Sequence, residues 1–434
     1  MKIEELYSYY QKCNGVTTDT RSCSEGALFF ALRGERFNGN HFAKAALEAG
    51  CAYAVIDEKD YYDALNPRLL LVDDSLKALQ ALARHHRRQL GLSIIGITGT
   101  NGKTTTKELI AAVLNRKYHT HYTQGNLNNA IGVPLTLLQL NRKHELAVIE
   151  MGASHPGDIR ELVEIAEPNC GLITNVGRAH LQGFGSFEGV VRTKGELYDF
   201  LREREGGYIF LNDNDPNLKT LAKGLKALRY GTGAEQKDRL VRGEVIECNP
   251  FLTFRWKTAD GLCQDVLTQL VGRYNIDNVL CAAAVGIHFG VPPEEISDAI
   301  RSYEPTNSRS QLLKTSYNTL IVDAYNANPT SMQAALDNFE LMEAQKKMII
   351  LGEMRELGEA SKEEHLNILK RLSTINVQTI WTIGDNFVSP SFSIRNFKDV
   401  DAAIKVLQTE RPEGMTILIK GSNSVHLSHL IPYL

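Results

Sequence analysis

The run Ser93-Ile94-Ile95-Gly96-Ile97-Thr98-Gly99-Thr100-Asn101-Gly102-Lys103-Thr104-Thr105-Thr106 contains three kinds of structure in fourteen positions. Its apolar, β-branched start predicts a buried strand. The glycines predict a turn, and Lys107-Glu108-Leu109-Ile110-Ala111-Ala112-Val113-Leu114 continues as a helix. Strand, glycine turn and helix together make a phosphate cradle. Turn amides and the positive helix end face the anion, Lys103 reaches the outer phosphate oxygens, and Thr104 can ligate Mg2+. The loop is shorter than the common form, because Ile97 stands where that form has its first glycine.

Around this stretch, 434 residues suggest about three domains at roughly 150 residues each. Hydrophobic and charged contents of 43% and 23% are those of an ordinary globular chain. A net charge of -3 argues against a nucleic-acid or anionic-membrane surface. No apolar run approaches the roughly 18 residues of a membrane span. The acidic, amphipathic start Met1-Lys2-Ile3-Glu4-Glu5-Leu6 does not read as a signal peptide. Seven scattered cysteines without a C-x-x-C pair exclude the usual zinc spacings and fit free thiols in a reducing cytoplasm.

Residues 1–90 mix short strands and helices. The loops Thr18-Asp19-Thr20-Arg21 and Arg33-Gly34-Glu35-Arg36-Phe37-Asn38-Gly39 combine arginine, hydroxyls and glycines. Arg84-His85-His86-Arg87-Arg88 reads as a solvated helix end before a linker. Residues 91–306 alternate strand and helix, the pattern of a parallel sheet covered by helices. Leu146-Ala147-Val148-Ile149-Glu150 is a strand with a carboxylate at its C-terminal end, where ligands of open α/β sheets gather. Asn275 reads as a helix N-cap. Taken alone, His180 reads as a structural histidine and Lys194 as a surface lysine. In residues 307–434 the alternation restarts as a small Rossmann-like unit. It lacks a G-x-G-x-x-G fingerprint, which argues against a nicotinamide cofactor.

Five stretches stand together in one order: Thr98–Thr105, Val148-Ile149-Glu150-Met151-Gly152-Ala153, Asn175-Val176-Gly177-Arg178-Ala179-His180-Leu181, Lys194-Gly195-Glu196 and Asn275-Ile276-Asp277-Asn278. In this the chain resembles the Mur ligases, ATP-dependent amide-forming enzymes of peptidoglycan precursor synthesis, over essentially its whole length. The short loop is the normal form in that family. Gly125–Pro134, Asp19-Thr20-Arg21 with Leu28–Phe37, and Asp323–Pro329 make it most similar to the branch that attaches D-alanyl-D-alanine to UDP-N-acetylmuramoyl-tripeptide. The chain departs from the family pattern at Val322, Ala324 and Asn423.

The resemblance implies three α/β domains: a UDP-substrate-binding domain (1–90), a central P-loop domain with a parallel sheet (91–306) and a C-terminal Rossmann-like domain (307–434). It implies a cytoplasmic, monomeric enzyme using ATP and Mg2+ through an acyl phosphate. By that likeness Gly99, Thr100, Asn101, Gly102, Lys103, Thr104, Thr105, Asn278, Arg309 and Asp323 hold the nucleotide. Thr104, Glu150, His180 and Lys194, the last as an N-carbamoylated lysine, serve Mg2+, with Lys103, Glu150, His180 and Lys194 as the catalytic set. Thr20, Arg21, Arg33, Arg36, Asn126, Asn128, Asn129, Tyr325, Asn326 and Asn328 meet the UDP-muramoyl peptide and the incoming dipeptide. A folate polyglutamate ligase shares the loop but not the N-terminal nucleotide-sugar domain. A nucleotide-binding regulator does not require Glu150, His180 and Lys194 together.

Overall fold

The computed structural model describes residues 1–35, 37–233, 238–306, 309–388 and 394–434. Three separate sheets, each with its own helices, give an α/β chain in three units. The first sheet is parallel and runs Val16–Thr17, Leu28–Phe30, Tyr53–Ile56, Leu69–Leu71. A small hairpin, Arg33–Gly34 with Phe37–Asn38, projects from it.

The helix Ser75–Leu90 joins this unit to the next. Asp74 accepts from Lys77 N to cap its start, and Gly91, at φ 66°, closes its end. Its basic last turn is not the solvated end that composition predicts. Arg87 and His86 are buried. Arg87 donates to the carbonyls of Ala166 (2.9 Å) and Glu167 (2.7 Å) and to Asn169 Oδ1 (3.1 Å), while a His86 ring nitrogen meets Leu140 O at 2.9 Å. Five donors on a planar fork satisfy a group of carbonyls that water would otherwise have to reach. The first and middle units consequently share one apolar core, from Leu6 and Phe30 to Ile149 and Tyr198.

The middle sheet has nine strands. Its parallel part places Ser93–Thr98 between Leu146–Glu150 and Cys170–Ile173, with Tyr208–Asn212 and Lys226–Thr232 following outward. Ile94, Ile95 and Ile97 are fully buried, as befits a strand covered on both faces. The expectation of an all-parallel sheet fails at Val241–Cys248, Phe251–Thr258 and Cys263–Val271, where an antiparallel meander extends the sheet. There the burial alternates: Leu252, Phe254 and Trp256 face inward and their neighbours face solvent. Trp256 Nε1 donates to Ser297 Oγ, which satisfies the indole N–H that this alternation buries.

The third sheet has six strands, parallel except for the edge pair Gln311–Lys314 and Thr319–Asp323. The helix Pro329–Leu341 begins with a capping box between Asn328 and Ser331. No helix among the described residues is long and apolar enough to cross a membrane.

Candidate active site

The central strand Ser93–Thr98 lies where the strand order reverses, and the loop that leaves its carboxyl end opens into a crevice. Gly99 has φ +143°, and a Cβ there would stand 2.0 Å from Thr174 Oγ1, so glycine is required. The strand Cys170–Ile173 and the residues after it brace the loop. Thr100 N donates to Asn175 O (3.0 Å) and Asn101 N to Asn175 Oδ1 (3.0 Å), while Thr174 Oγ1 donates to Asn101 O (2.7 Å). Gly102, at φ +77°, then turns the chain into the helix Lys103–Leu114.

Lys103 bends back over the loop, its Nζ donating to Gly99 O (2.7 Å) and Thr100 O (3.1 Å). Thr104 Oγ1 donates to Glu150 Oε2 at 2.9 Å, and Asn128 Nδ2 to Glu150 Oε1 at 2.9 Å. Lys107, one turn further along the helix, is wholly buried with its Nζ 3.8 Å from Glu150. Lys194 is buried on the helix Phe187–Glu203, its Nζ 5.5 Å from the centre of the Phe184 ring. Burial, and then the charge of Lys103, hold the Lys194 amine well below the usual lysine range. Burial also lowers Lys103 and Lys107. Such crowding of cations in one desolvated place costs energy alone and favours a polyanion when one arrives.

Lys103, Asn128 and Glu150, with Thr100, Asn101 and Gly102, form one wall of a cavity of about 780 Å3 between the middle and third units. The third unit supplies the other wall, including Arg309, Asp323, Tyr325, Asn326 and Glu356. The Arg309 guanidinium lies 3.9 Å from the centre of the Tyr325 ring, with a buried Nε that has no partner. Lys420 Nζ holds Asp323 Oδ2 at 2.5 Å and also donates to Asn326 O. The walls meet where Asn328 Nδ2 donates to Asn101 Oδ1 (2.7 Å) and where His180 Nδ1 contacts the Glu356 carboxylate. Both residues of that last pair have left-handed backbones, φ 50° and 62°.

Of the residues singled out from sequence, Thr100, Asn101, Gly102, Lys103, Thr105, Asn126, Asn128, Asn129, Glu150, His180, Asn278, Arg309, Asp323, Tyr325 and Asn326 line this cavity. Gly99, Thr104 and Asn328 stand directly behind its wall. Lys194 is also behind the wall, and it is a buried residue rather than a surface lysine.

Thr20, Arg21 and Arg33 do not line the cavity. Arg21 pairs with Asp19 at 2.7 Å, and Arg33 with Asp57 at 3.2 Å. Arg36 lies outside the described residues. Asn275 makes no cap bond. It donates instead to Val271 O and accepts from Asn278, whose own Oδ1 takes the Thr106 hydroxyl.

Sequence reasoning missed Lys107, Asn175, Glu356 and Lys420 as neighbours of the site. Lys107 and Asn175 sit inside or beside motifs read for other residues. Lys420 comes from the end of the strand Thr416–Lys420 and Glu356 from the loop after the strand Lys347–Gly352, far apart in the sequence from the phosphate loop.

A phosphate loop backed by buried cations and a paired acidic strand end, closed over by a second α/β unit, defines an ATP-dependent ligase. Models of the Mur ligase family match in series: "Mur ligase family, catalytic domain" over residues 12–87, "Mur ligase middle domain" over 97–286 and "Mur ligase, glutamate ligase domain" over 308–423. The UDP-N-acetylmuramoyl-tripeptide--D-alanyl-D-alanine ligase of Bacillus subtilis is 35% identical, covering 96% of this chain and 92% of that protein. The Escherichia coli enzyme of the same name is 34% identical over 96% and 93%. Among solved structures, MurF from Acinetobacter baumannii superposes with a TM-score of 0.87 at 30% identity, over 99% and 98% of the two chains. Thermotoga maritima MurF in complex with ADP gives 0.85 at 26% identity, over 98% and 97%. The chain belongs to the Mur ligase family, in its MurF group, and is an ADP-forming ligase.

Proposed function

We propose that this chain joins D-alanyl-D-alanine to the terminal carboxylate of a UDP-N-acetylmuramoyl-tripeptide at the expense of ATP, in the cytoplasm and as a monomer. The observation that carries the reading is the cavity of about 780 Å3, which a phosphate loop, His180 and a second domain's Arg309 line together. The division at residues 90/91 and 306/307 is supported by the helix that ends at Leu90 and by the fresh sheet that begins at Gln311.

A carboxylate is a poor electrophile because its oxygen is a poor leaving group. Transfer of the γ-phosphoryl group makes that oxygen part of a phosphate. The amine nitrogen then attacks the carbonyl carbon, loses its proton to water, and phosphate departs from the tetrahedral intermediate. Positioning and charge neutralisation do most of this. The loop amides and Lys103 take the β- and γ-phosphates, Lys103 leaving the carbonyls of Gly99 and Thr100 to do so. Arg309 and Asp323 grip the nucleotide from the third domain, and Asn278 holds the adenine side. Tyr325, Asn326 and Asn328 border the peptide end with Asn126, Asn128 and Asn129. Thr20, Arg21, Arg33 and Arg36 receive the UDP end.

No group of three His, Cys, Asp or Glu side chains is arranged to hold a metal among the described residues. Mg2+ seldom needs one, since it commonly takes one or two protein oxygens plus phosphate. The Thr104 hydroxyl and Glu150 carboxylate, already 2.9 Å apart, suit that donor set, with His180 as a ligand of a second ion. Bound Mg2+ supplies Lewis-acid stabilisation of the charge that develops on the transferring phosphoryl group. The depressed Lys194 amine suits carbamoylation: the neutral nitrogen adds to CO2, a proton goes to water, and the amine becomes an anion beside Lys103.

ADP release followed with each reactant omitted in turn tests the reading. It requires ATP, the UDP-tripeptide and D-alanyl-D-alanine together. Turnover independent of the dipeptide would sink it.

A further inference from the structure

An incoming dipeptide brings an ammonium group that must be held beside the activated carbonyl, and a carboxylate is the natural partner for it. Six carboxylates line the cavity among the described residues. Glu150 is held by Thr104 and Asn128, and Asp323 by Lys420. Asp158 Oδ2 accepts the amides of Ser154 and His155, and Glu161 accepts from Gln80. Asp277 is buried toward Asn212.

Glu356 differs from these five. Its side chain remains 59% exposed, and it is in contact with His180, itself a residue of the reaction centre, with the charge of His155 also acting on it. Its backbone sits at φ 62°, an uncommon conformation for a residue with a Cβ, and its carbonyl accepts from Gln182 N across the domain boundary. Such a conformation persists where the surroundings over-determine it, and here it aims a carboxylate from the third domain at the middle domain's His180.

We propose that Glu356 is a specificity-determining residue that takes the ammonium group of the incoming dipeptide and sets it beside His180, opposite the phosphate loop. The inference rests on the ligase reading above. In the present arrangement His180 occupies the position the ammonium group takes, so dipeptide binding exchanges one cationic or hydrogen-bonding partner of Glu356 for another. The charge of Glu356 therefore matters to the dipeptide and not to ATP. Selection against an acceptor whose amine is acylated follows directly, because an amide nitrogen carries no charge for Glu356 to hold.

The test is steady-state kinetics of Glu356→Gln and Glu356→Asp with each of the three reactants varied. The expected result for Glu356→Gln is a rise of tenfold or more in KM for D-alanyl-D-alanine. KM for ATP and for the UDP-tripeptide should stay within twofold, and kcat at saturating dipeptide within about threefold. Glu356→Asp, keeping the charge, should recover part of the dipeptide KM. Acyl phosphate formed without dipeptide, trapped by borohydride reduction, should be unchanged in both. An unchanged dipeptide KM would overturn the proposal, and so would a parallel rise in all three KM values, which marks a merely structural contact. A parent enzyme that ignores the dipeptide would defeat the ligase reading itself, a result distinct from either of these.

Discussion

The phosphate loop and the arginine hairpin of the N-terminal domain are both glycine-bearing turns that follow a short buried strand, and they were built for opposite conditions. Around Gly99–Thr104 the amides of Thr100 and Asn101 and the side chains of Asn101 and Thr104 already have partners, and those partners come from residues 175, 150 and 328, while Thr174 holds the Asn101 carbonyl. The Lys194 amine lies buried nearby, and Lys103 stands half-buried at the cavity wall, before any anion arrives. Around Arg21 and Arg33 the cations lean on carboxylates of their own neighbourhood, Asp19 and Asp57, and are largely exposed. The first region is preorganised, so a ligand meets fixed dipoles and needs little rearrangement. The second must exchange solvated ion pairs, each worth about 0–1 kcal/mol, for contacts with its ligand. Chemistry is thus concentrated where the protein is stiff, and substrate capture where it is adaptable.

The strongest way to break this contrast is to remove the buried Lys194 of the stiff region. Lys194→Ala should lower kcat by about 10²-fold or more, and a short carboxylate such as formate added in solution should restore part of it. An absence of rescue would count against carbamoylation.

Next comes the loop backbone. Gly99→Ala drives a methyl to within 2.0 Å of Thr174 Oγ1, so about 2–4 kcal/mol of strain is expected. It should appear as a lower melting temperature together with weaker nucleotide binding in a fluorescent-ADP titration.

Arg87→Leu strips three acceptors of their donor at the junction of the first two domains. A loss of about 2–3 kcal/mol is expected, read in the first transition of urea unfolding, with KM for ATP unaffected. In the adaptable region, Arg33→Ala should cost only about 1 kcal/mol, seen as a several-fold rise in KM for the UDP-substrate and no change in melting temperature.

The smallest effect concerns His121, on the edge strand Thr120–Tyr122 of the middle sheet. Burial, helped by the neighbouring His144, pushes its imidazole down from 6.5 to about 4, and its Nε2 has no partner. Between those two pH values the unfolded chain binds a proton that the folded chain does not, so stability falls as pH drops from 6.5 toward 4. His121→Gln should lose less melting temperature than the parent between pH 7 and pH 5, by roughly 2 °C. An equal loss in both would place the acid sensitivity elsewhere.

How much of this was legible in the sequence follows the same division. The phosphate loop, Glu150 and the buried strands could be read directly, because strand, turn and helix there are consecutive and each leaves a local pattern. The meander of residues 241–271 was not seen, although Phe251–Thr258 alternates cleanly; it stands in a region where parallel alternation was expected. Arg87 was misread because five basic and imidazole side chains in a row look solvated until their carbonyl partners, some eighty residues on, are known. Asn275 looked like a cap for a similar reason, since its partner at Val271 becomes apparent only when the loop closes. Glu356 and Lys420 were out of reach entirely. Each acts on a cavity assembled from two domains, and neither has a spacing that announces it.

The central claim is that the cavity between the second and third domains activates a carboxylate by phosphorylating it. The direct test starts from UDP-tripeptide carrying 18O in its terminal carboxylate, turned over with ATP and D-alanyl-D-alanine. One labelled oxygen should pass into each phosphate released. Phosphate free of label would contradict the account, since the carboxylate oxygen would then never have been the phosphoryl acceptor.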